Sequence, residues 1–149
     1  METERPIGYW LKQLDRLIEA AFDRALATEG LTRRHWQVLN GLRESPRDAA
    51  ALAEAMRPFW GSGAITLDET TGELTGRGWI ERDDAGRYAL TPTGRAGHAA
   101  VEEKVRGIRS TILADLTEED YRATVGVLRQ MTGNLEHAAT GRRNAAAAP

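Results

Sequence analysis

Residues 79–90 constrain the fold more than any other stretch of the chain. Trp79-Ile80-Glu81-Arg82 and Arg87-Tyr88-Ala89-Leu90 are two short runs suited to strands, and Asp83-Asp84-Ala85-Gly86 between them is a turn. The pattern predicts a β-hairpin, and a lone two-stranded hairpin is marginal in water. It must lie against something apolar, and the rest of the chain supplies only helical periodicity.

Upstream, Thr32 reads as the N-cap of a helix carrying Trp36, Leu39 and Leu42, stopped by Ser45-Pro46. Asp48 caps a short helix with Leu52 and Met56. A Pro- and Gly-containing loop, Arg57 to Gly63, precedes a helix with Leu67, Thr71 and Leu74, closed by Gly76 and Gly78. Three compact helices followed by a hairpin are the parts of a winged helix-turn-helix.

The flanking helices are longer than such a module can cover. After Pro6, apolar residues recur at helical steps from Ile7 through Trp10, Leu14 and Leu17 to Leu26, ending at Gly30. Thr91-Pro92 opens a fifth helix with Val101, Val105, Ile108, Ile112 and Leu113. Thr117-Glu118-Glu119-Asp120, a near capping box, opens a sixth with Tyr121, Val125, Leu128, Met131 and Leu135. A second copy is the economical cover for these stripes, and two-fold symmetry is the commonest closed arrangement. The expected chain is therefore mainly α with a small β-hairpin wing. Residues 1–30 and 94–140 form a helical dimerisation region, 31–93 the winged lobe, and 141–149 a flexible tail without an apolar face.

Several function classes are excluded. The 149 residues include no cysteine, so disulfide and thiolate chemistry are absent. No apolar run approaches a membrane span, and the N-terminus lacks a signal-peptide pattern, so a cytoplasmic protein without a membrane partner is expected. His35, His98 and His137 are scattered without metal-ligand spacing, and no nucleophile motif or phosphate-cradling loop is present. No enzyme, metal or cofactor is expected.

Three stretches resemble the MarR family of bacterial transcriptional regulators: Ala51-Leu52-Ala53-Glu54-Ala55-Met56, Leu74 through Arg82, and Tyr88-Ala89-Leu90-Thr91-Pro92-Thr93-Gly94. With the helix order, the resemblance covers residues 6 to 140. It implies a homodimer built from the terminal helices, a recognition helix in the major groove of double-stranded DNA, and wings near the minor groove. It also implies a crevice for a small aromatic or amphipathic ligand between the dimerisation helices and the lobe. The implied function is a ligand-responsive regulator, a repressor on a pseudo-palindromic operator. Two departures stand out. The loop from Arg57 to Gly63 is longer than the common pattern, and Asp68 and Glu69 stand where Ser or Thr and Arg are expected.

With Leu67, Thr71 and Leu74 inward, helical spacing places Thr66, Glu69, Thr70 and Glu73 on the open face. The candidate DNA contacts are Ser62, Thr66, Asp68, Glu69, Thr70, Arg77, Arg82 and Arg87, with an acid accepting from cytosine N4. Arg87 has an alternative, an internal pair with Asp83 or Asp84. Between Ser62 and Arg95 four arginines face six acids, a local net of −2 that works against phosphate binding. The candidate crevice residues are Tyr9, Trp10, Gln13, His35 and Trp36, with interface or core packing as the alternative. A second overall reading follows from the acids: a winged-helix dimer that has lost DNA readout and serves as a protein-interaction or small-molecule-binding module.

Overall fold

The computed structural model describes residues 4–59 and 66–147. Its helices are α1 (Ile7–Leu26), α2 (Arg33–Gly41), α3 (Ala49–Met56), α4 (Leu67–Gly76), α5 (Pro92–Ile112) and α6 (Glu118–Ala147). The strands β1 (Ile80–Arg82) and β2 (Tyr88–Leu90) lie between α4 and α5. The chain divides into two compact units, Met1–Ile108 and Arg109–Pro149, described in turn below.

In the first unit the helix starts follow from local chemistry. Asp48 Oδ1 accepts the Ala51 N–H at 2.7 Å, and Thr66 Oγ1 accepts the Glu69 N–H at 3.1 Å, each satisfying an orphan donor of a first turn. At α2 the residue three positions after Thr32 is His35, whose Nδ1 accepts the Thr32 N–H at 2.9 Å. An imidazole thus fills the place that Glu or Gln takes in a capping box. Helix α1 ends at Leu26, four residues before Gly30. A 3-10 turn (Ala27–Glu29) intervenes, and Gly30 closes it at φ 66°, a left-handed conformation that favours glycine.

The hairpin is antiparallel with Ile80 opposite Leu90 and Arg82 opposite Tyr88. Arg47 adds an isolated bridge to Tyr88 through a reciprocal pair of backbone bonds, 3.0 and 2.8 Å long. That bridge supports the wing from the segment just after Pro46. Ile80 and Leu90 point inward with Leu26, Val38, Leu39, Leu52, Leu74 and Val101, which share one buried core. Gly94, at the start of α5, is required for a different reason: a Cβ there would lie 1.8 Å from the Trp79 carbonyl oxygen. Only glycine lets α5 pass so close to the wing.

One face of α1 takes no part in this core. Ile7, Trp10, Leu11, Leu14 and Leu17 are all exposed. In the second unit, α6 opens with the expected box: the Thr117 N–H donates to Asp120 Oδ2 and the Asp120 N–H to Thr117 Oγ1. Arg109 pairs with Glu118 at 2.8 Å and lies over the Tyr121 ring. Leu116, Val127, Met131 and Leu135 are exposed there. The expected break at residue 141 does not occur, since α6 continues to Ala147. Alanine is the strongest helix former, so the Ala-rich end sustains a helix without an apolar face. Among the described residues, no helix is long and apolar enough to cross a membrane.

Candidate nucleic-acid interface and adjoining cleft

Helix α4 occupies the recognition position, directly before the hairpin. Thr66, Asp68 and Glu69 are exposed on its first turn. Gly72, Thr75 and Gly76 continue the exposed surface, and no Lys or Arg lies between Thr66 and Gly76. Ser62 and Trp60 fall outside the described residues.

Thr70 corrects the open-face expectation, because it is fully buried together with Thr71. Its Oγ1 donates to the Thr66 carbonyl at 3.0 Å, and Thr71 Oγ1 donates to the Leu67 carbonyl at 2.9 Å. A hydroxyl that bonds back to its own helix can enter the core without an unsatisfied donor. Glu73 is half-exposed, yet its Oε2 lies 2.5 Å from His35 Nε2.

The three arginines assigned to DNA all have internal partners. Arg77 Nη1 and Nη2 donate to the carbonyls of Glu29 and Gly30 at 2.8 and 2.9 Å. Arg82 donates to the Gly86 carbonyl at 3.0 Å and to the Tyr88 hydroxyl at 2.7 Å, with its guanidinium 4.3 Å from the Tyr88 ring centroid. Arg87 Nε donates to Asp83 Oδ2 at 2.9 Å, the internal alternative. The Arg87 backbone N–H bonded to Asp83, with help from the guanidinium and the Ala85 N–H, holds that carboxyl below its ordinary range. Arg87 remains half-exposed at the wing, so one partner does not remove it from reach of a phosphate.

Beside the lobe, Phe22, Arg33, Trp36, Gln37, Asn40, Gly41 and Met56 line a cleft of about 290 Å³. Of the five residues expected to form a crevice, only Trp36 lines it. His35 is turned inward, engaged with Thr32 and Glu73. Tyr9, Trp10 and Gln13 lie on the first turns of α1, whereas Phe22 opens the cleft near that helix's other end. Tyr9 and Trp10 meet edge to face at 5.2 Å, and Gln13 accepts from Arg16. Trp36 stacks on His98 at 4.9 Å. Burial pushes the His98 imidazole below its ordinary pKa, Glu102 opposes that shift, and Arg43 adds to it.

Sequence reasoning missed His98, Glu73 and the carbonyl partners of Arg77. The spacing of His35 after Thr32 was the one local signal for the Glu73 network, since a residue three after an N-cap faces back to it.

The family model described as the HVO_A0261 N-terminal domain matches residues 23–112, from the last turn of α1 to the end of α5. Solved structures match the fold over most of the chain. The MarR family protein Rv2887 of Mycobacterium tuberculosis, in complex with DNA, is 26% identical, with a TM-score of 0.66 over 86% of this chain and 98% of that one. The chain belongs to this domain family, and its fold is similar to that of MarR regulators. The same mycobacterial MarR protein in complex with salicylic acid is also 26% identical, with a TM-score of 0.66 over 88% and 99% of the two chains. The reduced form of MarR from E. coli, at 17% identity, has a TM-score of 0.67 over 87% and 95% and shows the shared fold. By position in the shared winged-helix fold, α4 is the candidate recognition helix and β1–β2 the wing hairpin.

Proposed function

We propose that this chain is a homodimeric, ligand-responsive MarR regulator that represses transcription by occupying a pseudo-palindromic operator. The observation that carries the reading is α4 itself, seated on a winged lobe with its capped first turn exposed. The DNA and salicylic acid complexes of the mycobacterial relative support both halves of it. A two-fold pair of lobes would bring two recognition helices to successive major grooves, about 34 Å apart.

The reading face differs in kind from a basic one. Asp68 and Glu69 are acceptors, and in the major groove the donor that suits a lone carboxylate is the cytosine N4 amine. Phosphate contact then falls to Thr66, to the wing with Arg87, and to cations elsewhere on the dimer. The proposed ligand site is the Phe22–Trp36–Met56 cleft, whose aromatic walls and Asn40 and Gln37 amides suit a small planar molecule.

Fluorescence anisotropy against DNA from immediately upstream of the gene, with a scrambled duplex as control, tests the reading. Selective binding that weakens markedly between about 50 and 200 mM salt is expected. Glu69→Gln should shift the preferred base from cytosine to adenine, because Gln pairs with adenine N6 and N7. A genome-wide fragment selection that recovers nothing would refute DNA reading. The second reading, a dimer serving as an interaction module, would then stand. The observation favouring that reading is the absence of any cation on α4 from Thr66 to Gly76.

A further inference from the structure

We propose that Glu73 and Arg77 are positioning residues that fasten the recognition helix to the α1–α2 corner and set its angle on DNA, without touching the duplex themselves. The proposal rests on the DNA-reading function above. Glu73 lies on the last turns of α4 and Arg77, four residues later, is its C-cap in a helical conformation, so their side chains leave on the same side.

Glu73 is latched to α2. His35 is 2% exposed, and its Nδ1 accepts the Thr32 backbone N–H, which assigns the ring proton to Nε2. That proton is donated to Glu73 Oε2 at 2.5 Å. A carboxylate committed to a buried imidazole is a poor reader of bases.

Arg77 is latched to the corner itself. Its two terminal nitrogens fork onto the successive carbonyls of Glu29 and Gly30. Gly30 is left-handed at φ 66°, which favours glycine, and Arg77 Nη2 lies 2.9 Å from where a Cβ would stand. Lys104 holds the same corner from α5, reaching Glu29 Oε1 at 3.1 Å and Thr28 Oγ1 at 3.2 Å.

The test compares specific and scrambled duplexes across a salt series for four single variants and one double variant. Arg77→Lys keeps the charge but cannot fork onto two carbonyls. It should cut the ratio of specific to non-specific affinity about tenfold, the scale of one mismatched base pair, with an unchanged salt slope. Gly30→Ala changes no charge and should give a similar loss, and the double variant should be no worse than either, as expected for one shared contact. A phosphate-binding Arg77 predicts the opposite: Lys is tolerated, and Arg77→Ala lowers the salt slope by about one unit. That outcome overturns the proposal. Glu73→Gln retains an acceptor for His35 and should keep the ratio. A gain in affinity for both duplexes would place that carboxylate against phosphates and overturn its assignment. Hydrogen exchange in the DNA-free protein gives a readout independent of operator binding. Arg77→Lys and Gly30→Ala should speed exchange of the α4 amides while the hairpin amides stay protected, and unchanged α4 exchange refutes the latch. A wild-type protein with no DNA preference would sink the regulator reading, leaving exchange to decide the latch.

Discussion

The winged lobe and the outer face of α1 are built from the same apolar residues and end in opposite environments. Leu26, Val38, Leu39, Leu52 and Leu74 are completely buried, whereas Ile7, Trp10, Leu11, Leu14 and Leu17 each keep roughly half of their surface. The lobe's core is closed, because α2, α3, α4 and the hairpin each present one apolar face to a common centre, completed by Phe22 and Leu26 at the end of α1 and Val101 of α5. The α1 stripe has no such centre. Burying apolar area is worth about 25 cal/mol per Å², so an uncovered stripe of five large side chains favours a partner. The contrast separates residues that make the fold from residues that make an assembly, and substitutions should respect that boundary.

The largest effect should come from the lobe. Leu39→Ala leaves a cavity at a site with no exposed surface and should cost about 2–5 kcal/mol. Urea denaturation should show the loss at every protein concentration. A loss below about 1 kcal/mol would mean that the core collapses around the gap, and the contrast with α1 would weaken.

Leu14→Glu is the counterpart on α1, about half exposed in the single chain. Placed at a proposed dimer interface, the carboxylate would be buried without a partner on both sides of the two-fold axis. Light scattering after gel filtration should then report a monomer, while far-ultraviolet circular dichroism keeps the helical signal of the lobe. A dimer that survives Leu14→Glu would move the interface off this stripe.

Local chemistry explains which parts of this arrangement were legible in the sequence. Caps act over three residues, so Asp48 and the Thr117–Asp120 box could be read directly. The hairpin turn was equally local, with Gly86 at φ 79° where the chain reverses. What escaped depended on distance along the chain. Glu73 meets His35 38 positions away, and Arg77 meets the Glu29 carbonyl 48 positions away. No spacing rule joins such pairs; the packing of α2 on α4 does. Thr70 escaped for a different reason. A helical wheel ranks side chains by polarity, and it cannot see that a threonine hydroxyl bonded to the carbonyl four residues earlier behaves as an apolar group. The helical end of α6 escaped because absence of an apolar face was read as absence of structure, although alanine needs no such face to stay helical.

The smallest effect should come from His98, at the seam where α5 meets α2. Its ring is buried, stacked on Trp36, with Nε2 3.3 Å from Asn40 Oδ1. Desolvation lowers its folded pKa below the ordinary 6.5, with Arg43 acting in the same direction and Glu102 against it. The unfolded chain therefore takes up this proton before the folded one does. Stability from this group is complete above 6.5 and falls as pH drops through that value, since the unfolded state then binds more protons. Asp83 contributes in a separate window: its depressed pKa gives stability above 3.8 that is lost only at still lower pH. Urea midpoints measured at about pH 7.5 and about pH 5 should thus converge in His98→Gln relative to wild type, since glutamine carries no titrating proton. If the wild-type and His98→Gln midpoints shift equally over that range, the acid sensitivity belongs elsewhere in the lobe. The α5–α2 seam would then be a passive contact, and the difference between the closed core and the open α1 face would stand on packing alone.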